Sequence, residues 1–164
     1  MAQMDTIVYT QEQVRQIVAE EMEQARKNIS ENIEREGKRA SGKTQESMVV
    51  SVADEGTATV GTLSGRAFFK ALETGSKPWA KQYKRVPLFF AEIIGDWIAD
   101  KELDLNPFAV ATKIMREGSK QHREGAITTV YSEEIDATLE RINKRVMGVF
   151  DATIAESIKR TNNE

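Results

Sequence analysis

From Met48 onward the residue pattern stops being helical and becomes β-like, and this switch constrains the fold more than any other feature of the 164-residue chain. Met48-Val49-Val50-Ser51-Val52-Ala53 and Thr57-Ala58-Thr59-Val60-Gly61-Thr62-Leu63 are runs rich in β-branched residues on either side of Asp54-Glu55-Gly56. β-Branched runs flanking a Gly-containing turn predict an antiparallel hairpin. Two strands alone are marginally stable in water. The ribbon therefore needs a helix against one face or a neighbouring chain along its edge.

The remaining sequence supplies helices. Val14, Ile17, Val18, Met22, Ala25, Ile29 and Ile33 fall three or four residues apart and draw one apolar stripe that ends near Gly37. Thr10 and Gln13 have the spacing of a capping box, so the helix is expected to start at Thr10. Pro87 fits the first turn of a second helix, and Phe90, Ile93, Ile94, Trp97 and Ile98 behind it predict a core helix, with Phe90, Trp97 and Ile98 in the core. Asn106-Pro107 opens another helix that Gly118 stops.

Ser132, followed by Glu133 and Glu134 where negative charge suits the helix dipole, begins the last helix. There Ile135, Leu139, Ile142, Val146 and Val149 repeat like a short coiled-coil seam, and Met147, Phe150, Ile154 and Ile158 draw a second stripe beside it. Ala67 to Glu73 fits a third strand or a short helix, with strand-like or mixed structure favoured. The expected fold class is α+β in a single domain over residues 1–164. It comprises a long N-terminal helix (10–36), a small antiparallel hairpin-based sheet (44–74), an interaction loop (75–86), a helix pair (87–118), a linker (119–131) and a long C-terminal helix (132–160).

Composition narrows the function. The 23 basic and 26 acidic side chains give a net charge of -3, so the total does not advertise a duplex-binding surface. The chain has no cysteine, which removes disulfides and thiolate chemistry, and His122 is its only histidine, so neither a metal nor a cofactor is expected. No window approaches the apolar length of a membrane span, and Met1 to Thr10 lacks the pattern of a signal peptide.

Gly37-Lys38-Arg39-Ala40-Ser41-Gly42-Lys43-Thr44 matches the spacing of a phosphate-binding P-loop. That chemistry needs a strand before the loop and a helix after it, within a parallel sheet. Here a helix precedes and a strand pattern follows, so the segment reads as a helix stop and turn. The acids Glu133 and Glu134, and Asp100, Glu102 and Asp104, read as solvated faces, as does His122 in its polar linker. No nucleophile, base and orienting group occur as a set, and no enzyme is expected.

The candidate interaction residues are Lys77, Trp79, Lys81, Tyr83, Lys84 and Arg85, a loop that mixes cations with stacking rings. Single-stranded nucleic acid and protein partners both use that mixture, and the acidic total favours a protein interface.

The order of these parts carries a resemblance. Ala40-Ser41-Gly42-Lys43-Thr44 with Ser47, the strands from Met48 to Leu63, Leu72-Glu73-Thr74-Gly75, Pro87, the Ile93, Trp97 and Ile98 helix, Ala109 to Met115, and Arg116-Glu117-Gly118-Ser119 follow one another. This layout resembles the neck and tail-completion (head-tail connector) proteins of tailed bacteriophages. The resemblance implies a structural virion protein, one subunit of a homo-oligomeric ring at the head-tail connection. Its implied partners are other copies of itself and the portal, adaptor or tail proteins. In such a ring the loop lysines can also touch packaged DNA without sequence preference. The implied location is the neck or tail region of the virion, after assembly in the cytoplasm of the bacterial host. The chain departs from the pattern in its basic aromatic loop, Lys77 to Arg85, and its extended final helix. The alternative is a soluble adaptor or regulatory protein that binds a partner through the C-terminal amphipathic helix.

Overall fold

The computed structural model describes residues 2–66, 69–79 and 84–161, with side chains for 11–66, 69–79 and 84–159. The elements run in the order α1 (Ala2–Arg35), α2 (Lys43–Glu46), β1 (Val49–Glu55), β2 (Ala58–Ser64), α3 (Ala71–Thr74), α4 (Leu88–Asp100), α5 (Pro107–Glu117), α6 (Lys120–Arg123) and α7 (Ser132–Thr161). The fold is α+β, with long first and last helices around a two-stranded antiparallel sheet. The chain divides into two compact units: Met1–Ser30 with Met48–Ser64 and Ser132–Glu164, and Glu31–Ser47 with Gly65–Tyr131.

In the first unit the hairpin pairs Val49 with Ser64 through to Glu55 with Ala58. Val50, Val52 and Leu63 turn to the half-buried side, and alternate residues face out. The cover the ribbon needs comes from α1. At Gly61 an added Cβ would fall 2.8 Å from Val18 Cγ1 and 2.9 Å from Met22 Cγ, so the absence of a side chain is what lets β2 lie this close to the helix. Arg15 reaches Asp54 at the turn end, at 3.8 Å.

Helix α1 starts at Ala2, ahead of the Thr10 cap read from sequence. Ala2, Gln3 and Met4 are good helix formers, and a threonine inside a helix costs only a fraction of a kcal/mol, about 0.5, so the capping spacing is overridden. Its end is as expected: the N–H of Gly37 donates to Glu34 O and that of Lys38 to Ile33 O, both at 2.9 Å, the two bonds of a Schellman stop.

The second unit is built on the α4–α5 pair. Phe90, Ile94, Ile98 and Ala111 are buried, with Trp79, Val86, Val110 and Ile114 packed around them. Asn106 caps α5 by accepting the Ala109 N–H at 3.0 Å, and Pro107 takes the first turn. Trp97, expected in the core with Phe90 and Ile98, is 39% exposed. The buried row runs in steps of four through 90, 94 and 98. Position 97 lies a residue short of that row and rotates onto the flank.

Three local readings change. The 67–73 segment, favoured as strand-like, ends in the helical turn α3, whose Ala71, Leu72 and Glu73 have better helix than strand propensity; Ala67 and Phe68 lie outside the described residues. The 119–131 linker contains α6, capped by Ser119 Oγ, which accepts the His122 N–H at 3.3 Å. The turn at Gly42 leads into α2 before the first strand.

Leu72-Glu73-Thr74-Gly75 is the bracket of this unit. Leu72 O accepts from Thr128 Oγ1 at 3.0 Å, Glu73 O accepts from the Thr128 N–H at 3.2 Å, and Gln121 Nε2 donates to both carbonyls. The Glu73 side chain, 5% exposed, accepts the Tyr131 N–H at 2.6 Å. Gly75 closes the bracket at φ 72°, and a Cβ there would sit 2.6 Å from the His122 backbone nitrogen and closer still to Ser119 Oγ. Gly75→Ala should therefore lower stability by about 2–3 kcal/mol, through the unfavourable φ and the displacement of α6. Urea unfolding reads this as a lower midpoint at unchanged slope; a loss under about 0.5 kcal/mol would show that α6 yields without cost.

Candidate interaction surfaces

In the second unit, Lys77 is exposed between two anchors. Ser76 O accepts the Ser119 N–H at 2.9 Å, and the Trp79 N–H donates to Met115 O at 2.9 Å. The Trp79 ring turns inward and meets Phe90 edge-on, with centroids 4.9 Å apart at 76°. Trp79 thus fixes the loop to the α4–α5 core. Lys84 and Arg85 are exposed, while Lys81 and Tyr83 lie outside the described residues. Of the group singled out in sequence, three cations are presented to solvent and one ring is withdrawn.

The inward turn of Trp79 was legible in part. A tryptophan with an aromatic helix a few residues on is as good a core filler as a docking ring, and the packing of the ring on Phe90 decides between them. His122, read as exposed, is half-buried beside Gly75 and Gly118.

In the first unit, α7 meets α1 through charge. Glu21, 8% exposed, accepts from Arg141 Nε at 2.7 Å and Arg145 Nη1 at 2.8 Å. Arg141 also reaches Glu134 at 2.8 Å, and Arg145 reaches Glu20 at 2.6 Å. Burial disfavours a charge on Glu21, but the bonds from Arg141 and Arg145 outweigh it and hold its carboxyl below the ordinary value of 4.5.

The same contacts set which way α7 faces. Thr138 is buried, and Arg141, Ile142, Val146, Val149 and Thr153 are half-covered. Ile135, Leu139, Met147, Phe150, Ile154 and Ile158 point outward, each 44% to 59% exposed. The seam expected from sequence is therefore split: Ile142, Val146 and Val149 stay inward, and Ile135 and Leu139 join the second stripe outside.

Among the described residues no group of three or more His, Asp or Glu side chains could hold a metal ion. The Gly37 to Thr44 match follows a helix, and Lys43 lies 3.9 Å from Asp96 in an exposed ion pair. Among the described residues no helix is long and apolar enough to cross a membrane. Comparison with protein-family models, curated proteins and solved structures finds no match to this chain.

The Glu21 site makes a pH dependence with a definite sign. A folded-state pKa held below the unfolded value contributes stability above about pH 4.5 that is lost as pH falls through the folded pKa. Glu21→Gln should cost about 1–3 kcal/mol at pH 7, the range for a hydrogen-bonded, largely buried charge with partly exposed partners. In urea titrations the gap between native and variant chains should narrow from pH 7 to pH 3; a constant gap would mean that Glu21 does not titrate with folding.

Proposed function

We propose that this chain is a non-catalytic structural protein of a tailed-bacteriophage particle, placed at the head-tail connection as one subunit of a homo-oligomeric ring. The observation that carries the assembly is the outward row on α7, where Ile135, Leu139, Met147, Phe150, Ile154 and Ile158 are all large, apolar and about half exposed. An exposed apolar row on a helix, here interrupted by Asn143, is a surface that association covers. Burying the remainder contributes roughly 1 kcal/mol per side chain, on the order of 6 kcal/mol in all. Association costs about 4–15 kcal/mol in lost freedom, so this row alone holds a weak complex and a second contact is needed.

The hairpin supplies a candidate for that second contact. Among the described residues each strand of the two-stranded sheet has one unpaired edge, and neither Val49–Glu55 nor Ala58–Ser64 carries the Pro or Lys that blunts edges in monomeric proteins. The resemblance of the motif order to neck and tail-completion proteins gives the assembly its place. In this reading the exposed Lys77, Lys84 and Arg85 meet a portal, adaptor or tail protein, with Trp79 as the inner anchor of their loop. Assembly takes place in the host cytoplasm before incorporation at the neck.

The mass of the purified protein in solution tests the reading. A closed ring of about six or more subunits is expected at micromolar concentration, and Leu139→Ser with Ile154→Ser should release monomers without unfolding them, since both side chains are half exposed. A native chain that stays monomeric, and leaves no density at the particle neck, would overturn it in favour of the adaptor role for α7.

A further inference from the structure

Helix α4 carries more apolar side chains than the α4–α5 core uses. Phe90, Ile94 and Ile98 form its buried row. Phe89, Ile93 and Trp97, each one position earlier, form a second row at the same step of four, and this row is 37% to 53% exposed. One position earlier again comes a third row, Glu92, Asp96 and Asp100, wholly acidic and exposed. Going round the helix, the surface therefore passes from the core to a bare aromatic row and then to a line of carboxylates.

The carboxylates have little positive charge beside them. From Val86 to Asn106 the sequence holds five acids, Glu92, Asp96, Asp100, Glu102 and Asp104, and one base, Lys101. Lys101 donates to Gly37 O at 3.4 Å. Among the described residues Lys43 alone reaches the acidic row, 3.9 Å from Asp96, in a pair whose two side chains are exposed. An exposed pair of that length contributes little and leaves the row its negative charge.

The helix that presents these rows is held from behind. Ala111 packs against the buried row, the Trp79 ring meets Phe90, and the N–H of Leu103 donates to Ile98 O at 3.0 Å, closing the helix end. A face carried on a packed helix loses little freedom when a partner binds. The second row runs from Phe89 to Trp97, about 12 Å at 1.5 Å per residue, or two turns. That is the length over which a partner helix sets its anchors at i, i+3 or i+4, and i+7.

We infer that the outer face of α4 docks a basic amphipathic helix from a protein other than this chain, its apolar stripe on Phe89, Ile93 and Trp97 and its cations toward Glu92, Asp96 and Asp100. Tryptophan and phenylalanine are the residue types that anchor protein interfaces. The acidic line selects the sign of the partner, since like charges across an interface are costly. Nucleic acid and anionic lipid are repelled by it. A second copy fits no better: the other exposed apolar row of the chain, on α7, begins among the exposed acids Glu133, Asp136 and Glu140. The inference is independent of the ring, because a monomer that binds such a helix supports it.

The test is fluorescence anisotropy of the full chain with a labelled amphipathic peptide of leucine and lysine, roughly 18 residues so that it holds a helix, beside the same pattern in leucine and glutamate. The lysine peptide should bind at about 50 mM salt and about tenfold more weakly at about 500 mM, and the glutamate peptide should not bind. Glu92→Gln/Asp96→Asn/Asp100→Asn changes only exposed side chains, and should weaken binding about tenfold and remove most of its salt dependence. Phe89→Ser/Trp97→Ser should weaken it about thirtyfold. Binding should shift tryptophan emission to the blue, and Trp97→Phe should abolish the shift while binding persists, because Trp79 is packed on Phe90 with or without the peptide. Glu133→Gln/Asp136→Asn/Glu140→Gln, an equal loss of charge on α7, should leave binding unchanged. Absence of binding by the native chain, an equal loss in the α7 control, or equally tight binding of the glutamate peptide would overturn the inference. Loss of the chain's own self-association in Phe89→Ser/Trp97→Ser would also overturn it, and would give the face to a second copy.

Discussion

One buried carboxylate sets the two-sided character of the last helix. Glu21 projects from α1 into the first unit, where an unpaired charge would cost several kcal/mol, so Arg141 and Arg145 must point at it. Fixing those two positions fixes the rotation of the whole helix. Ile142, Val146 and Val149 then lie inward, and Ile135, Leu139, Met147 and Phe150 have no direction left but outward. The apolar row on the surface thus follows from a polar requirement inside. Replacing the arginines by leucines would free the helix to roll and bury a different face.

The second unit resolves an equivalent problem with backbone donors. Glu73 is buried, and its side chain accepts the N–H of Tyr131. The carbonyls beside it take Thr128 and Gln121. A short Leu-Glu-x-Gly sequence therefore holds the 121–131 segment in place through two backbone carbonyls and the Glu73 side chain. The burial of that site, and then the Glu73 charge, also raise the Tyr131 hydroxyl above its usual 10.0, so it stays protonated at neutral pH.

Much of the architecture was legible because it is written in periodicity. The β-branched runs around Asp54-Glu55-Gly56 located both strands to within two residues, with Asp54 and Glu55 of the expected turn falling inside β1, and the cap signals at Asn106 and Gly118 located α5. The features that were not legible depend on partners distant in sequence. Trp97 and Trp79 exchange their expected roles, one exposed and the other packed, because the α4 rotation is set by Ala111 on α5 and the Trp79 ring by Phe90. The two stripes on α7 were visible, but which of them faces α1 is decided by Glu21, more than a hundred residues away. Charge partners were equally hidden: the sequence shows where the cations are, and the structure shows which of them are already neutralised.

That separation along the chain orders events during synthesis. The second unit draws only on residues 31–47 and 65–131, and all of them are translated before α7 begins. The first unit waits for its final helix, which takes roughly 2–6 seconds to translate at bacterial or slower rates. During that interval α1 and the hairpin are present while Glu21 still lacks its arginines, and its carboxylate keeps the site hydrated until the C-terminal helix arrives to close it.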